Sequence, residues 1–353
     1  MLAVESKVAR ASAVDSPTPK TNPDCSWQCL VEPVEPFLRV VTQRLFEQVD
    51  AFDPKIIPYA QYTLNGNGKQ LRPALVALTA NSIGKITDAH VNAAVIVEMA
   101  HLATLVHDDV LDEAEIRRGQ LTLAANWGNE IAVLFGDCLF AQALKLAASF
   151  PTPEVCRAVA TAANNVCAGE ILQTQHRRQF QASRRDYFRV IEMKTAELFM
   201  LSCDLAALLS GATVERRTAL RQFGMAFGAA YQVYDDCVDL FGSEETAGKS
   251  LGTDLAKGKL TWPVLLAWER ANVTDKAQLE DWVKEWQPEN LFPVRELLVK
   301  YETFEPSREV VDRYLDQACQ ALRILPKSNG RTGLLKLADF LAQQTGALAV
   351  CVR

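Results

Sequence analysis

The sequence predicts an all-α protein, a bundle of helices folded as one large domain, and three observations carry that expectation. From residue 31 onward apolar residues recur at helical spacing almost everywhere. Alternating β-branched runs bounded by hairpin turns are hard to find. Several long segments are apolar on most faces, as helices in the middle of a bundle must be. With 353 residues, 49% hydrophobic and 23% charged, the chain can bury a large core.

Taken in order, residues 1–30 carry Ser-Pro-Thr-Pro and Asn-Pro-Asp and read as a disordered lead-in. Acidic Glu5 and Asp15 make it a poor transit peptide. Residues 31–353 form the single domain. An amphipathic helix is expected over 34–49 and another over 71–82, after Gly66-Asn67-Gly68. Asp88 is the expected cap of a long, mostly apolar helix over 89–110. Segments 131–148, 155–173, 187–209 and 216–240 are again apolar on most faces. After Phe241 comes a polar stretch with glycines at 242, 248, 252 and 258, the one long internal loop that invites a functional reading. Helices resume at Leu260, and 275–285, 291–301, 308–324 and 332–344 have polar outer faces and serve packing.

The charge of −6 excludes nucleic acid as the main partner, because no broad basic field exists to displace condensed counterions. Nine cysteines occur without a C-x-x-C pair, which fits reduced thiols and a cytoplasmic location. No uncharged apolar run reaches the roughly 18 to 20 residues that span a bilayer, so no transmembrane segment is expected.

The chemistry concentrates in one pattern that appears twice. His107-Asp108-Asp109-Val110-Leu111-Asp112 closes the apolar run 95–106, and Tyr234-Asp235-Asp236-Cys237-Val238-Asp239 closes a second apolar helix. Carboxylates four residues apart share a helix face and can hold a hard cation between them. One acidic triplet is most often a solvated helix face. Two, both ending bundle helices, can meet around metal ions. Oxygen ligands at this density suit Mg²⁺ shared with phosphate oxygens. Cations beside glycines fit a polyphosphate: Lys69 and Arg72, Arg117 and Arg118, Lys249 and Lys259, with Lys194-Thr195 in addition. Separate acidic and basic clusters imply two diphosphate sites.

At these residues the sequence resembles the trans-prenyl diphosphate synthases, the chain elongators of the isoprenoid synthase family. Gly68-Lys69-Gln70-Leu71-Arg72-Pro73 is similar to that family's first basic motif, residues 101–119 to its first aspartate-rich region and 231–240 to its second. Residues 248–252 and 254–259 resemble the loop and lysine that follow. Asn67 stands where many relatives have a second glycine. The resemblance implies an isoprenoid-synthase-type bundle around a deep central cavity, a homodimer, and three Mg²⁺ per active site. It also implies roles. Asp108 and Asp112, supported by Asp109, would hold Mg²⁺ against an allylic diphosphate. Asp235, supported by Asp236 and Asp239, would hold a further ion from the opposite wall. Lys69, Arg72, His101 and Arg118 would bind isopentenyl diphosphate. Arg117, Lys194, Thr195, Gln232, Lys249 and Lys259 would contact the allylic diphosphate. His107 is left to packing.

One and two turns before Asp108 lie Thr104, Ala103 and Ala100, expected to line the growing chain. Small residues there predict a product longer than C20, about C30–C45, and predict that Ala103→Phe shortens it. The floor would lie deeper, at Val97, Met99, Leu134, Phe135 or Phe140. Transient membrane contact for product release is expected. The rivals are a geranylgeranyl- or farnesyl-length synthase, a non-catalytic subunit of a heteromeric enzyme, a terpene cyclase and a phosphohydrolase. All six motif aspartates are kept, and so are the basic residues a cyclase would not need.

Overall fold

The computed structural model describes residues 27–65, 68–243 and 250–348. Asn67 and Lys249 lie outside them, as do residues 1–26. The expected lead-in is therefore visible only at its end, where Trp27–Val31 is already helical (α1).

The helices in chain order are α2 Glu35–Val49, α3 Ile57–Leu64, α4 Leu71–Ile83 and α5 Asp88–Leu111. Next come α6 Leu123–Trp127, α7 Asn129–Ala148, α8 Glu154–Gln175 and α9 Arg184–Ile191. After α10 Glu197–Leu209 and α11 Val214–Phe241 the chain continues through α12 Thr253–Ala256 and α13 Trp262–Arg270. The last four are α14 Val273–Lys284, α15 Leu291–Lys300, α16 Phe304–Ala321 and α17 Asn329–Leu348. Beyond the segments expected from periodicity, the described residues also hold the short helices α3, α6 and α12, the last within the expected loop, a two-stranded hairpin, Ile116–Arg117 with Gln120–Leu121, and a π-helical turn, Glu192–Ala196.

α5 packs on α7 and α10, and α8 packs on α7 and α10, so these four helices close a ring. α11 lies along α10 and is covered outside by α16. The core joins Val95, Ile96 and Met99 of α5 to Phe199, Leu201 and Leu205 of α10 and Phe223 and Phe227 of α11. Close approach of α11 to α10 depends on two glycines. A Cβ on Gly224 would stand 2.7 Å from Met200 Cα, and one on Gly228 2.6 Å from Ala196 Cα.

The cap of α5 differs from expectation. Thr87, in extended conformation, is the N-cap and its backbone N–H donates to His90 Nδ1 (3.0 Å), while Asp88 pairs with Arg44 at 3.1 Å. Residue 87 is the last with non-helical dihedrals, so it and not its neighbour faces the free N–H groups. Among the described residues two helices are long and apolar enough to cross a membrane by length and composition alone. α5 is buried over 67% of its apolar window and belongs to the interior, whereas α7 is buried over only 33%.

Candidate active site

The first aspartate motif ends α5, and the chain then turns back through the hairpin. Its two-residue loop, Arg118-Gly119, has both φ angles positive (52° and 75°), the geometry that tight hairpins require. That reversal brings Arg117 Nε to 2.7 Å from Asp109 Oδ1. It also carries Arg118 over Gly68, where a Cβ would stand 2.9 Å from the guanidinium. Burial raises the Asp109 carboxyl above its ordinary value, and Arg117 opposes the rise.

Asp108 faces Lys194 Nζ at 3.5 Å, and the same ammonium pairs with Glu170 of α8 and donates to Gln173 Oε1 at 2.9 Å. Two buried carboxylates thus confront one ammonium. Burial lifts Asp108, with Lys194 opposing and Glu170 adding to the rise. Asp112 is the opposite case. Burial alone would raise it, but Lys259 (2.6 Å), Lys257 (3.4 Å) and Lys194 hold it below the usual carboxylate range. Arg177 Nη2 adds a bond to its Oδ1 at 2.9 Å.

Lys194 and Thr195 reach opposite partners because they sit in the π turn, whose extra residue shifts the helical register. Lys194 points to α5 and α8, and Thr195 donates to Gln232 Oε1 of α11 at 2.7 Å. Gly169 makes room for the widened turn: a Cβ there would lie 2.8 Å from the Lys194 backbone nitrogen.

On the second wall, Gln232 Nε2 donates to Asp236 Oδ1 (2.8 Å) and Tyr187 OH donates to Asp236 Oδ2 (2.5 Å). Asp236 is buried, which pushes its carboxyl well above the ordinary value, and the two donors oppose the rise. It acts as a buried strut between α9 and α11. Asp239, expected among the metal ligands, is turned toward α12. Its carboxylate is fully buried and accepts from the Thr253 hydroxyl (2.9 Å), the Thr253 N–H (3.3 Å) and the Asp254 N–H (3.2 Å), capping α12. Its bond fixes the segment that carries Lys257 and Lys259, so one loop is anchored to the second motif and grips the first. Asp235 stays half-buried beside them.

The basic motif forms a separate cluster. Gln70 is left-handed (φ 46°) where the chain enters α4, which puts Arg72 in the first turn with its guanidinium 4.5 Å above the Phe199 ring. Burial, then Arg72, Arg118 and Arg117, hold the His101 imidazole well below its ordinary value, so it is neutral near pH 7. Glu98, one turn earlier, is raised by burial and steadied by Arg72 and Arg118. Lys69 is exposed at the mouth. His107 bonds the Val133 carbonyl (3.1 Å) against Gly136, a packing role between α5 and α7.

Of the residues expected to line a growing chain, Thr104 is half-buried, whereas Ala100 and Ala103 are buried and Ala103 belongs to the apolar core. Leu134, a candidate floor, is 62% exposed on the outside of α7 and cannot floor a cavity within this chain.

The residues fit divalent ions. Among the described residues no three ligands form a closed metal cage. At the Asp108–Glu170 corner two carboxylates share the single ammonium of Lys194, so oxygen ligands locally outnumber cations even though cations prevail around the motif as a whole, and such a corner suits Mg²⁺ completed by phosphate oxygens. Sequence reasoning missed Glu170, Gln173, Tyr187, Arg177 and Lys257. The spacing Gly169-Glu170-x-x-Gln173 puts two polar groups on one face of α8 and was the available signal.

An all-α ring with two aspartate-bearing helices, lysines bridging them and a second cationic cluster beside them is a trans-prenyltransferase architecture. The comparisons narrow the class. The profile of the polyprenyl synthetase family matches residues 53–298, and the chain belongs to that family. It is similar to component 2 of heptaprenyl diphosphate synthase from Bacillus subtilis, 36% identical over 309 residues, covering 86% of this chain and 87% of that protein. Octaprenyl diphosphate synthase of Escherichia coli is 32% identical over 305 residues, 86% and 94% of the two chains. A polyprenyl synthase from Caulobacter crescentus, solved with calcium and isoprenyl diphosphate, superposes with a TM-score of 0.86 at 32% identity, covering 91% of this chain and 99% of that one.

Proposed function

We propose that the chain condenses isopentenyl diphosphate head to tail (1′–4) with an allylic diphosphate, giving an all-trans polyprenyl diphosphate longer than C20. One observation carries the reading: α5 presents two separate anion sites on one face. The cations around Asp108 and Asp112 form one, and Arg72 and Arg118 around His101 form the other. Seven residues of helix separate His101 from Asp108, about 10 Å.

Mg²⁺, held by Asp108, Asp112 and Asp235, would neutralise charge on the departing diphosphate; the expected three ions per site can be counted by Mn²⁺ titration. Lys194, Lys259 and Arg117 stabilise the same charge as the allylic C–O bond ionises. Lys69, Arg72 and Arg118 hold isopentenyl diphosphate so that its double bond faces the cation, and neutral His101 adds a hydrogen bond without further charge. The proton lost as the new bond settles goes to the released diphosphate. That leaves the buried acids free of proton transfer.

Glu98, His101, Leu105 and Asp108 keep partial exposure at helical spacing on α5, and Asp112 just past its end extends the stripe to about 21 Å. The stripe supports a cavity beside α5, with Thr104 on its edge. We favour products of about C30–C45. Names of the relatives, heptaprenyl and octaprenyl synthases, support that length.

The exposed apolar surface of α7 and α8, with Val133 (41%), Leu134 (62%) and Ile171 (60%), supports a homodimer through these helices. The component designation of the Bacillus relative supports a second reading, a heteromeric enzyme. Cys138, Cys156, Cys167, Cys203, Cys237 and Cys319 are free thiols, which supports a cytoplasmic site. The test is to incubate the purified chain alone with Mg²⁺, an allylic diphosphate and labelled isopentenyl diphosphate, and to size the products. Label in chains beyond C20, lost on chelation, is expected. No incorporation would refute the homomeric reading, and activity restored only by a second chain would establish the other.

A further inference from the structure

Around the first aspartate motif the acids are outnumbered. Asp108, Asp109, Asp112 and Glu170 meet Arg117, Arg177, Lys194, Lys257 and Lys259. Asp112 alone takes three of these cations, Arg177, Lys257 and Lys259. A carboxylate that binds Mg²⁺ cannot keep them all, and a cation released there needs another anion.

Arg177 is the one among them that no motif of the sequence marks. It follows α8, its Nη2 bonds Asp112 Oδ1 at 2.9 Å, and its Nη1 reaches toward the Leu111 carbonyl at 3.4 Å. Its Nε is buried without a hydrogen-bond partner, a donor left open in a polar site. Its backbone is held in place: the neighbouring Arg178 N–H donates to the Gly258 carbonyl at 2.7 Å, and the Arg178 side chain packs on Gly258. Arg177 therefore stands where α5, α8 and the lysine loop meet. A guanidinium there presents forked donors matched to phosphate oxygens, which the neighbouring lysines do not.

We propose that Arg177 is a further diphosphate-binding residue, which holds Asp112 in the metal-free protein and passes to the allylic diphosphate when metal takes that carboxylate. The proposal rests on the elongase reading, and wild-type activity is the control that separates the two: without it that reading fails, whatever the variants do. The experiment compares wild type, Arg177→Ala and Arg177→Lys in calorimetric titrations with inorganic diphosphate at fixed Mg²⁺, and in KM for each substrate. Loss of a charge-assisted contact predicts a dissociation constant for diphosphate about tenfold higher in Arg177→Ala, with Arg177→Lys between the two. KM rises for the allylic substrate and stays within twofold for isopentenyl diphosphate. Should diphosphate bind both variants as tightly as wild type, or should both KM values rise together, Arg177 is only a clamp on Asp112 and the proposal is overturned. Arg177→Lys, which keeps a cation, decides the matter if the alanine variant does not fold.

Discussion

Gly169→Ala is the sharpest single perturbation of the site, because it adds one methyl group at a fixed backbone. The new Cβ would lie 2.8 Å from the Lys194 nitrogen, 2.9 Å from Met193 Cβ and 3.1 Å from the Met193 carbonyl carbon. Two of the three atoms are main chain, so no flexible side chain can yield. Relief requires α8 or the π turn to move by roughly half an ångström or more, and overpacking of this kind costs about 1–3 kcal/mol. Spread over a chain of 353 residues, that loss lowers Tm by about 1–4 °C. The functional effect should be larger than the stability effect. The turn aims Lys194 at Asp108 and Glu170 and Thr195 at Gln232, and misplacement by about 1 Å can cost a hundredfold in rate. Kinetics with the allylic substrate and a thermal melt on the same sample separate the two losses. A variant that melts near wild type and keeps full kcat/KM would show that the π turn does not depend on Gly169 and that Lys194 is positioned by something else.

Three further outcomes follow from the same structure. Thr104→Phe, at the edge of the half-exposed stripe, should shorten the product with little loss of Tm; Ala103→Phe, in the closed core, should cost about 1–3 kcal/mol by overpacking. Product sizing by thin-layer chromatography and paired melts check both, and shortening by Ala103→Phe alone would reverse the assignment. Asp204 is buried between Arg217 (2.6 Å) and Arg221 (3.0 Å), so Asp204→Asn should destabilise by about 3 kcal/mol, the low end for a broken buried pair since the arginines reach solvent; a chemical melt tests it. His90, joined to Thr87 and to Ser210 at 3.0 Å, is held below its ordinary 6.5 by burial. A base with a depressed folded pKa binds its proton more readily unfolded, so the stability it contributes is intact above 6.5 and falls as pH drops below that value. Tm against pH should fall less steeply on the acid side in His90→Asn, and parallel curves would refute the assignment.

Sequence periodicity located the long helices because a bundle imposes one geometric demand everywhere: an apolar stripe must face a neighbour. It located the aspartates and basic residues because their chemistry needs types and spacings that packing does not. Periodicity failed where a residue's meaning depends on the chain on the other side. Asp239 repeats the spacing of Asp112, yet one carboxylate caps Thr253–Ala256 and the other collects three cations. Spacing along one helix carries no record of what packs across from it. Ala103 is the same kind of position: its small size was read as open space, and it lies buried in the apolar core. Glu170 and Arg177 went unseen for the complementary reason: neither stands in a charged pattern of its own, and each becomes part of a site only when α5 and the π turn or the lysine loop arrive beside it. The π turn had no sequence signal of its own. Its traces were two glycines, 169 and 228, on helices that it does not belong to, so in this fold a glycine inside a bundle helix is best read as information about its neighbour.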